Sequence, residues 1–290
     1  MILVPAEKIA DYTRRGWWGT QTLWDLFVRH RDERPHDEAV VDAPNRAEFA
    51  HGAPRRLGWQ ELSHEVDRLC LVLLDQGIRR DDIVVMMLPN CTEQFAVYLA
   101  CLRLGVVVTP VPVQYREHEL AHILATTNAV AAITFTHIGR PGQGHASAAM
   151  FIDLARSHPA LRRVIAWGEN APEGVVALGS EAAAEPTATQ RTRVLAAETA
   201  AAVTANDVVT ICWTSGTEAA PKGVPRSHNE WQVVPPFIIE AALLQPQARL
   251  LNPFPLVNMS GFSGAFVTWL MLGSTVIQHH PFSLPVFLQQ

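Results

Sequence analysis

Between Ile83 and Trp167 short apolar runs alternate with stretches of helical rhythm, and this alternation limits the fold more tightly than any other feature of the chain. Ile83 to Leu88 reads as a strand stopped by Pro89-Asn90, Thr92 to Leu104 as a helix closed by Gly105, and Val106 to Val111 as a second strand. Arg116 to Thr127 (helix), Val130 to Phe135 (strand), Ala146 to Ser157 (helix) and Arg163 to Trp167 (strand) continue the pattern. Strands this uniformly apolar are buried on both faces, and the helices between them are the crossovers that parallel neighbours require. The expected class is α/β, with layered, mostly parallel sheets and flanking helices.

Ahead of this region, Thr20 to Arg31 places Leu23, Leu26, Phe27 and Val28 on one helical side, with Thr20 or Thr22 as the cap. Leu57 to Leu62 leads into a helix reaching about Gln76, where Gly77 ends it. Glu181 to Asn206 is rich in Ala, Thr and Glu and reads as a connector, with helix over Leu195 to Val203. Ser227 to Leu244 reads as partly helical and broken at Pro235-Pro236, and Pro285 to Gln290 as the start of a helix. The expected division is a first α/β subdomain over 1–180, a connector over 181–206, and a phosphate-loop region opening a second, truncated subdomain over 207–290.

Hydrophobic residues make up 48% of the chain and charged residues 18%, enough apolar material for a sizeable core and too little charge for disorder. A formal net charge of −5 with no basic cluster argues against nucleic acid as a partner. The four cysteines lie in apolar stretches without metal-ligand spacing, which fits buried thiols in a reducing compartment, hence the cytoplasm. Met1 to Gly16 has no apolar h-region, so no secretory signal is expected. Leu250 to His280 carries no charged residue, but Pro253, Pro255, Gly261, Gly264 and Gly273 interrupt it. It reads as a turn, a short buried helix and a strand, not a membrane span.

The chemistry concentrates in Trp213 to Val224, where glycines and small hydroxyl residues separate a β-favouring run from a single lysine. Backbone N–H groups and hydroxyls in such a loop can wrap phosphate oxygens, with the lysine as a point charge. The Walker pattern is excluded, because Pro221 stands where its second glycine belongs and Gly223 where its magnesium-binding hydroxyl belongs. The alternative is a Gly/Ser/Thr surface turn followed by an exposed lysine.

The order Thr214-Ser215-Gly216-Thr217-x-x-x-Pro221-Lys222-Gly223-Val224 resembles the phosphate loop of the adenylate-forming enzymes: AMP-dependent acyl-CoA synthetases, aryl-acid ligases and luciferases. Glu218-Ala219 departs from the Thr-Gly usual there, removing a hydroxyl and adding a negative charge. Leu102 to Pro112, Leu57 to Leu62 and Asn90 to Phe95 resemble further motifs of that family in the same order. Pro255 to Phe262 resembles the segment that enters its acyl pocket, with Val257-Asn258 in place of the usual aromatic and histidine. Arg226, Ser227 and His228 read as packing and positioning for the loop, with Arg226 as an anion contact.

The resemblance implies the fold of the family's large N-terminal domain, incomplete at its C-terminus, and ATP-dependent activation of a small carboxylic acid. Lys222 would be catalytic, neutralising charge on the pyrophosphate. Thr214, Ser215, Gly216, Thr217 and Gly223 would hold the nucleotide's phosphates, and Asn258, Met259, Gly261 and Phe262 the acid. ATP, Mg2+ and coenzyme A are the implied cofactors, with no metal ligand assigned in this chain and a carrier protein as the other thiol acceptor. Whether copies associate as a homo-oligomer stays open. The family's Tyr-Gly-x-Thr-Glu and Thr-Gly-Asp segments do not occur in these residues, so the chain alone is expected to be inactive. A non-catalytic, truncated member acting as a binding or scaffold module is the alternative. A remote third reading is a zinc peptidase, from His118-Glu119-Leu120-Ala121-His122, an H-E-x-x-H on an expected helix.

Overall fold

The computed structural model describes residues 1–140, 142–179, 185–214, 221–279 and 281–290. A surface helix α1 (Ala6–Arg14) precedes α2 (Leu23–Glu33), where Thr22 and Asp25 form a reciprocal capping box. The Thr22 hydroxyl accepts the Asp25 N–H at 3.1 Å, and the Asp25 carboxylate accepts the Thr22 N–H at 2.7 Å. Then follow β1 (Glu38–Val41), a single 3-10 turn at Arg46–Glu48, β2 (Arg56–Gly58) and α3 (Trp59–Asp75). The alternation continues through β3 (Ile83–Met87), α4 (Thr92–Leu104), β4 (Val107–Pro110), α5 (Glu117–Thr127), β5 (Ala131–Phe135), α6 (Ser147–Ala155) and β6 (Arg163–Trp167). These match the expected bounds to within the usual fraying of element ends. α4 ends on Gly105 at φ +69°, a left-handed cap that costs glycine little.

The second half brings corrections. A strand not expected from the sequence, β7 (Val175–Leu178), follows β6; it is short and only Leu178 is buried, so it carries no pattern that separates it from loop. The helix expected from Leu195 is α7 (Ala188–Ala201), begun by a second capping box between Thr187 and Gln190. Its Ala/Thr composition hid it, since it buries only Val194 and Ala201 and has little apolar rhythm. Next come β8 (Val208–Trp213), β9 (Gly223–Ser227), α8 (His228–Gln232) and α9 (Pro235–Ala241). Pro235 opens α9 at a first-turn position, where its missing N–H is not needed. A further strand not expected from the sequence, β10 (Arg249–Asn252), precedes α10 (Met259–Gly261), a π-helical turn over Phe262–Val267, α11 (Thr268–Leu272), β11 (Thr275–Gln278) and α12 (Leu284–Gln289).

Seven strands form one sheet in the order β7-β6-β5-β3-β4-β8-β9, parallel except for the antiparallel β8–β9 pair. Four strands form a second, β10-β11-β1-β2, parallel except for β1–β2. Both sheets draw strands from both sides of 181–206. The molecule is thus the mixed α/β fold with mostly parallel sheets that the alternation implies.

α4 is buried along its whole length, and its Phe95 meets the ring of Trp269 edge-on at 5.1 Å. Trp269 stacks on Trp59 of α3 with ring centroids 4.8 Å apart, and its indole N–H donates to the Ala39 carbonyl of β1 at 3.0 Å. Nearby, the buried Arg46 guanidinium donates to Asp42 at 2.5 Å and to both oxygens of Glu93 at 2.6 and 2.8 Å. That network ties the loop after β1 to the start of α4, and removing one partner would strand a buried charge. Among the described residues no helix is long and apolar enough to cross a membrane.

Candidate functional site

The stem of the loop is clamped by its own residues. β8 and β9 pair from Cys212↔Val224 to Trp213↔Gly223; beyond them the Thr214 N–H donates to the Lys222 carbonyl at 3.0 Å. The Lys222 N–H in turn donates to Thr214 Oγ1 at 3.0 Å. Gly223 is forced by this pairing: a Cβ there would lie 2.8 Å from Ile211 Cγ2 and 3.4 Å from the Trp213 ring. Ser215, Gly216 and Thr217, and the departures Glu218 and Ala219, lie outside the described residues. Lys222 is exposed, and no carboxylate among the described residues pairs with it.

Two neighbouring elements brace this stem. The Trp213 indole N–H donates to Thr109 Oγ1 at 2.7 Å, and the Thr109 hydroxyl donates to the Ile211 carbonyl at 3.1 Å, so β4 fixes the ring. From α5, His122 Nε2 donates to the Pro221 carbonyl at 3.0 Å, which requires the tautomer protonated there. The same imidazole meets the Trp213 ring edge-on at 5.7 Å. No local pattern signals this brace, because only tertiary packing brings α5 to Pro221.

This arrangement also corrects the metal reading. Glu119 is the third residue of α5, and its carboxylate accepts the Arg116 N–H at 3.0 Å, a bond that lowers its pKa. It caps the helix, while His122 holds the loop exit and His118 faces solvent. No group of three or more His, Cys, Asp or Glu among the described residues is placed to hold a metal. The zinc-peptidase alternative therefore has no support.

Downstream, Asn90 holds the segment over 254–256: its amide donates to the Phe254 carbonyl at 2.8 Å and accepts the Leu256 N–H at 3.1 Å. Tyr98 of α4 donates its hydroxyl to the Leu256 carbonyl at 2.8 Å. Asn258 then caps α10, its side-chain oxygen accepting the Gly261 N–H at 2.8 Å. Gly261 can only be glycine, since a Cβ would sit 2.0 Å from the Pro255 carbonyl oxygen. Phe262 is fully buried against Tyr98, Trp231 and Phe266 and lines neither of the two cavities beside this segment.

Two cavities flank this segment. The smaller, about 260 Å3, joins the loop stem to it, lined by Trp213, Tyr115, Asn90, Val257 and Asn258. The larger, about 670 Å3, lies between α8, α9, β10 and the π-helical turn, and Met259 lies at it. Thr214, Lys222 and Gly223 thus meet at the hairpin end, Asn258 faces the smaller cavity, Met259 the larger, and Gly261 and Phe262 belong to the packing beneath. His228 is structural: its Nδ1 accepts the Leu23 N–H at 3.0 Å, and burial lowers its pKa to about 4, so it stays neutral. All four cysteines are buried and unpaired, and burial pushes the Cys212 thiol up to about 11.

With this geometry in hand, comparison with known proteins is informative. Residues 27–289 match the family model described as AMP-binding enzyme. The chain is 27% identical over 270 residues to the medium-chain fatty-acid–CoA ligase of Escherichia coli (strain K12), covering 92% of this chain and 44% of that protein. It is 30% identical over 232 residues to the salicyl-AMP ligase / salicyl-S-ArCP synthetase of Mycobacterium tuberculosis, covering 78% of this chain and 37% of that protein. Among solved structures, apo MbtA of Mycobacterium smegmatis superposes with a TM-score of 0.73 at 24% identity, over 94% of this chain and 46% of that one. The N-terminal domain of FACL13 from Mycobacterium tuberculosis superposes with a TM-score of 0.65 at 20% identity, over 91% of this chain and 58% of that one. At these identities the two superpositions speak to the fold alone. The chain spans less than half the length of these curated relatives.

Proposed function

The chain belongs to the AMP-binding enzyme family, and from that premise we propose that it is the N-terminal portion of an ATP-dependent ligase that activates a small carboxylic acid and passes its acyl group to a thiol. The observation that carries this reading is the reciprocal Thr214–Lys222 clamp at the end of the β8–β9 hairpin. It presents an exposed lysine, free of any carboxylate among the described residues, at the end of the hairpin whose Trp213 lines the smaller cavity with Asn258. ATP bound with magnesium supplies the phosphoanhydride whose cleavage activates the carboxylate. Lys222 holds negative charge on the phosphates, with Thr214 and the loop residues Ser215, Gly216, Thr217 and Gly223 positioning them. Asn258 and Met259 sit where the acid enters. Relatives named as a CoA ligase and as a salicyl-S-ArCP synthetase make coenzyme A and a carrier-protein thiol the two acceptors to test. The buried thiols suit a cytoplasmic setting.

Calorimetric titration with magnesium-ATP tests the grip. Lys222→Ala should weaken binding at least ~10-fold, the loss expected of a charge-assisted contact; unchanged affinity would remove Lys222 from the site. Acid-dependent exchange of labelled pyrophosphate into ATP should be undetectable for these residues alone, and robust exchange would overturn the view that they are only part of the catalyst.

A further inference from the structure

Two residues that line the larger cavity carry hydrogen-bond donors without a partner among the described residues. Arg226 and Ser263 both line it, and Arg226 Nε and Ser263 Oγ are buried without a partner among the described residues. Ser263 is only 6% exposed, and it sits in the π-helical turn, where the Thr268 hydroxyl donates to its carbonyl but no described residue meets its own hydroxyl. π-helical turns are rare and concentrate at functional sites, and unpaired buried donors are rare for the energetic reason that they forgo water. Both belong to side chains that line one cavity, which makes a ligand in that cavity the nearest outside source of an acceptor.

The surroundings limit what that acceptor is. Val234, Ile238, Leu251, Phe254 and Ala265 make most of the wall apolar. The Arg226 charge is already partly met, because its Nη1 lies 4.0 Å from Glu230 Oε1. Arg249, the other cation at the rim, pairs with Glu38 at 3.1 Å. A second carboxylate on the ligand would lie beside Glu230, whereas a neutral oxygen would take the free N–H and O–H without adding charge. Arg226 lies in β9 and Lys222 just before that strand, four residues earlier, a separation of about 13 Å at ~3.3 Å per residue. A group on Arg226 is therefore remote from the phosphate grip.

Resting on the acid-activating function proposed above, we infer that the acid is apolar and carries a neutral hydrogen-bond-accepting oxygen (keto, ether or hydroxyl) at the end remote from its carboxylate. Arg226 and Ser263 are the residues that select for that oxygen. A site built to pair an oxygen rejects the analogue lacking it, because its donors then stay buried and unpaired.

Binding of three probes by titration calorimetry decides the matter: decanoate, its keto analogue oxidised next to the terminal methyl, and decanedioate. The keto acid should bind about 10-fold tighter than decanoate, the scale of one charge-assisted hydrogen bond, and decanedioate no tighter than decanoate. Arg226→Met and Ser263→Ala should each erase most of the preference, read as the ratio of keto-acid to decanoate affinity in the same variant so that any general loss of acid binding cancels. Equal binding of decanoate and the keto acid, a preference that survives both substitutions, or tightest binding of decanedioate would overturn the inference while leaving the acid-activating reading intact. Binding of no acid at all would overturn both.

Discussion

The two sheets are assembled in opposite ways. In the larger, β3 to β6 are laid down by successive crossovers, so the partners of each strand are close in sequence, as in Val84↔Val108 and Val84↔Ala131. In the smaller, β1 pairs in parallel with β11, joining Val40 to Val276 across most of the chain. The first kind of pairing follows from local pattern and the handedness of crossovers. The second has no local cause, and side chains fix it: the Trp269 indole on the Ala39 carbonyl, and the Thr275 hydroxyl donating to the Glu38 carbonyl at 2.7 Å. The lesson is that a sheet closed by distant segments depends on a few large contacts, while a sheet built by crossovers spreads its stability over many.

Trp269→Ala attacks that difference most directly. It removes the stack on Trp59 and the tie to β1, and should cost about 3–5 kcal/mol in urea unfolding, against about 1 kcal/mol for Ile133→Val in the larger sheet. Similar costs at the two positions would erase the contrast.

His228 sits at the junction, bonding the start of α2 from the end of β9, and acid reaches it. Its folded pKa of about 4 lies below the unfolded 6.5, so between those values the unfolded chain binds the extra proton and stability rises with pH. That contribution is intact above pH 6.5 and lost as pH falls toward 4, amounting to roughly 3 kcal/mol over the window. His145, lowered to about 4 by burial, shifts the same way, so the difference between wild type and His228→Asn isolates the junction. Equal acid sensitivity in both proteins would deny His228 this role.

Smaller effects belong to local structure. Thr22→Ala breaks the α2 capping box and should cost ~1 kcal/mol by thermal or urea melts, whichever sheet α2 supports. Lys222→Ala should change stability by less than about 0.5 kcal/mol, since the side chain is exposed, while it weakens ATP binding. A large stability loss would mean that the lysine builds the hairpin instead of serving a ligand.

The candidate site divides along the same line. Thr214, Lys222 and Gly223 stand out in the sequence because the phosphate grip proposed for them needs hydroxyls, glycine and a lysine in a fixed order, and the structure brings these three together at the end of the β8–β9 hairpin. Phe262 was read as part of the acid site from its place in a motif, yet it lies in the aromatic core, because periodicity cannot tell which face of a short helical turn meets a cavity. Asn258 was read as a contact for the acid, and its oxygen also caps α10. Arg226 reads in the sequence as positioning for the loop and an anion contact, and the structure sets it in the lining of the larger cavity. Ser263 carried no signal, since an unpaired hydroxyl is a property of three-dimensional surroundings.

The sequence by itself determined the alternating α/β core and the family, because apolar rhythm, caps and motif order act over short stretches of chain. Only the tertiary structure decided that 38–41 lies beside 275–278, that His122 braces Pro221, and that Arg226 and Ser263 share one cavity. Those outcomes depend on which distant surfaces exclude water from one another. That is a property of the packed chain as a whole.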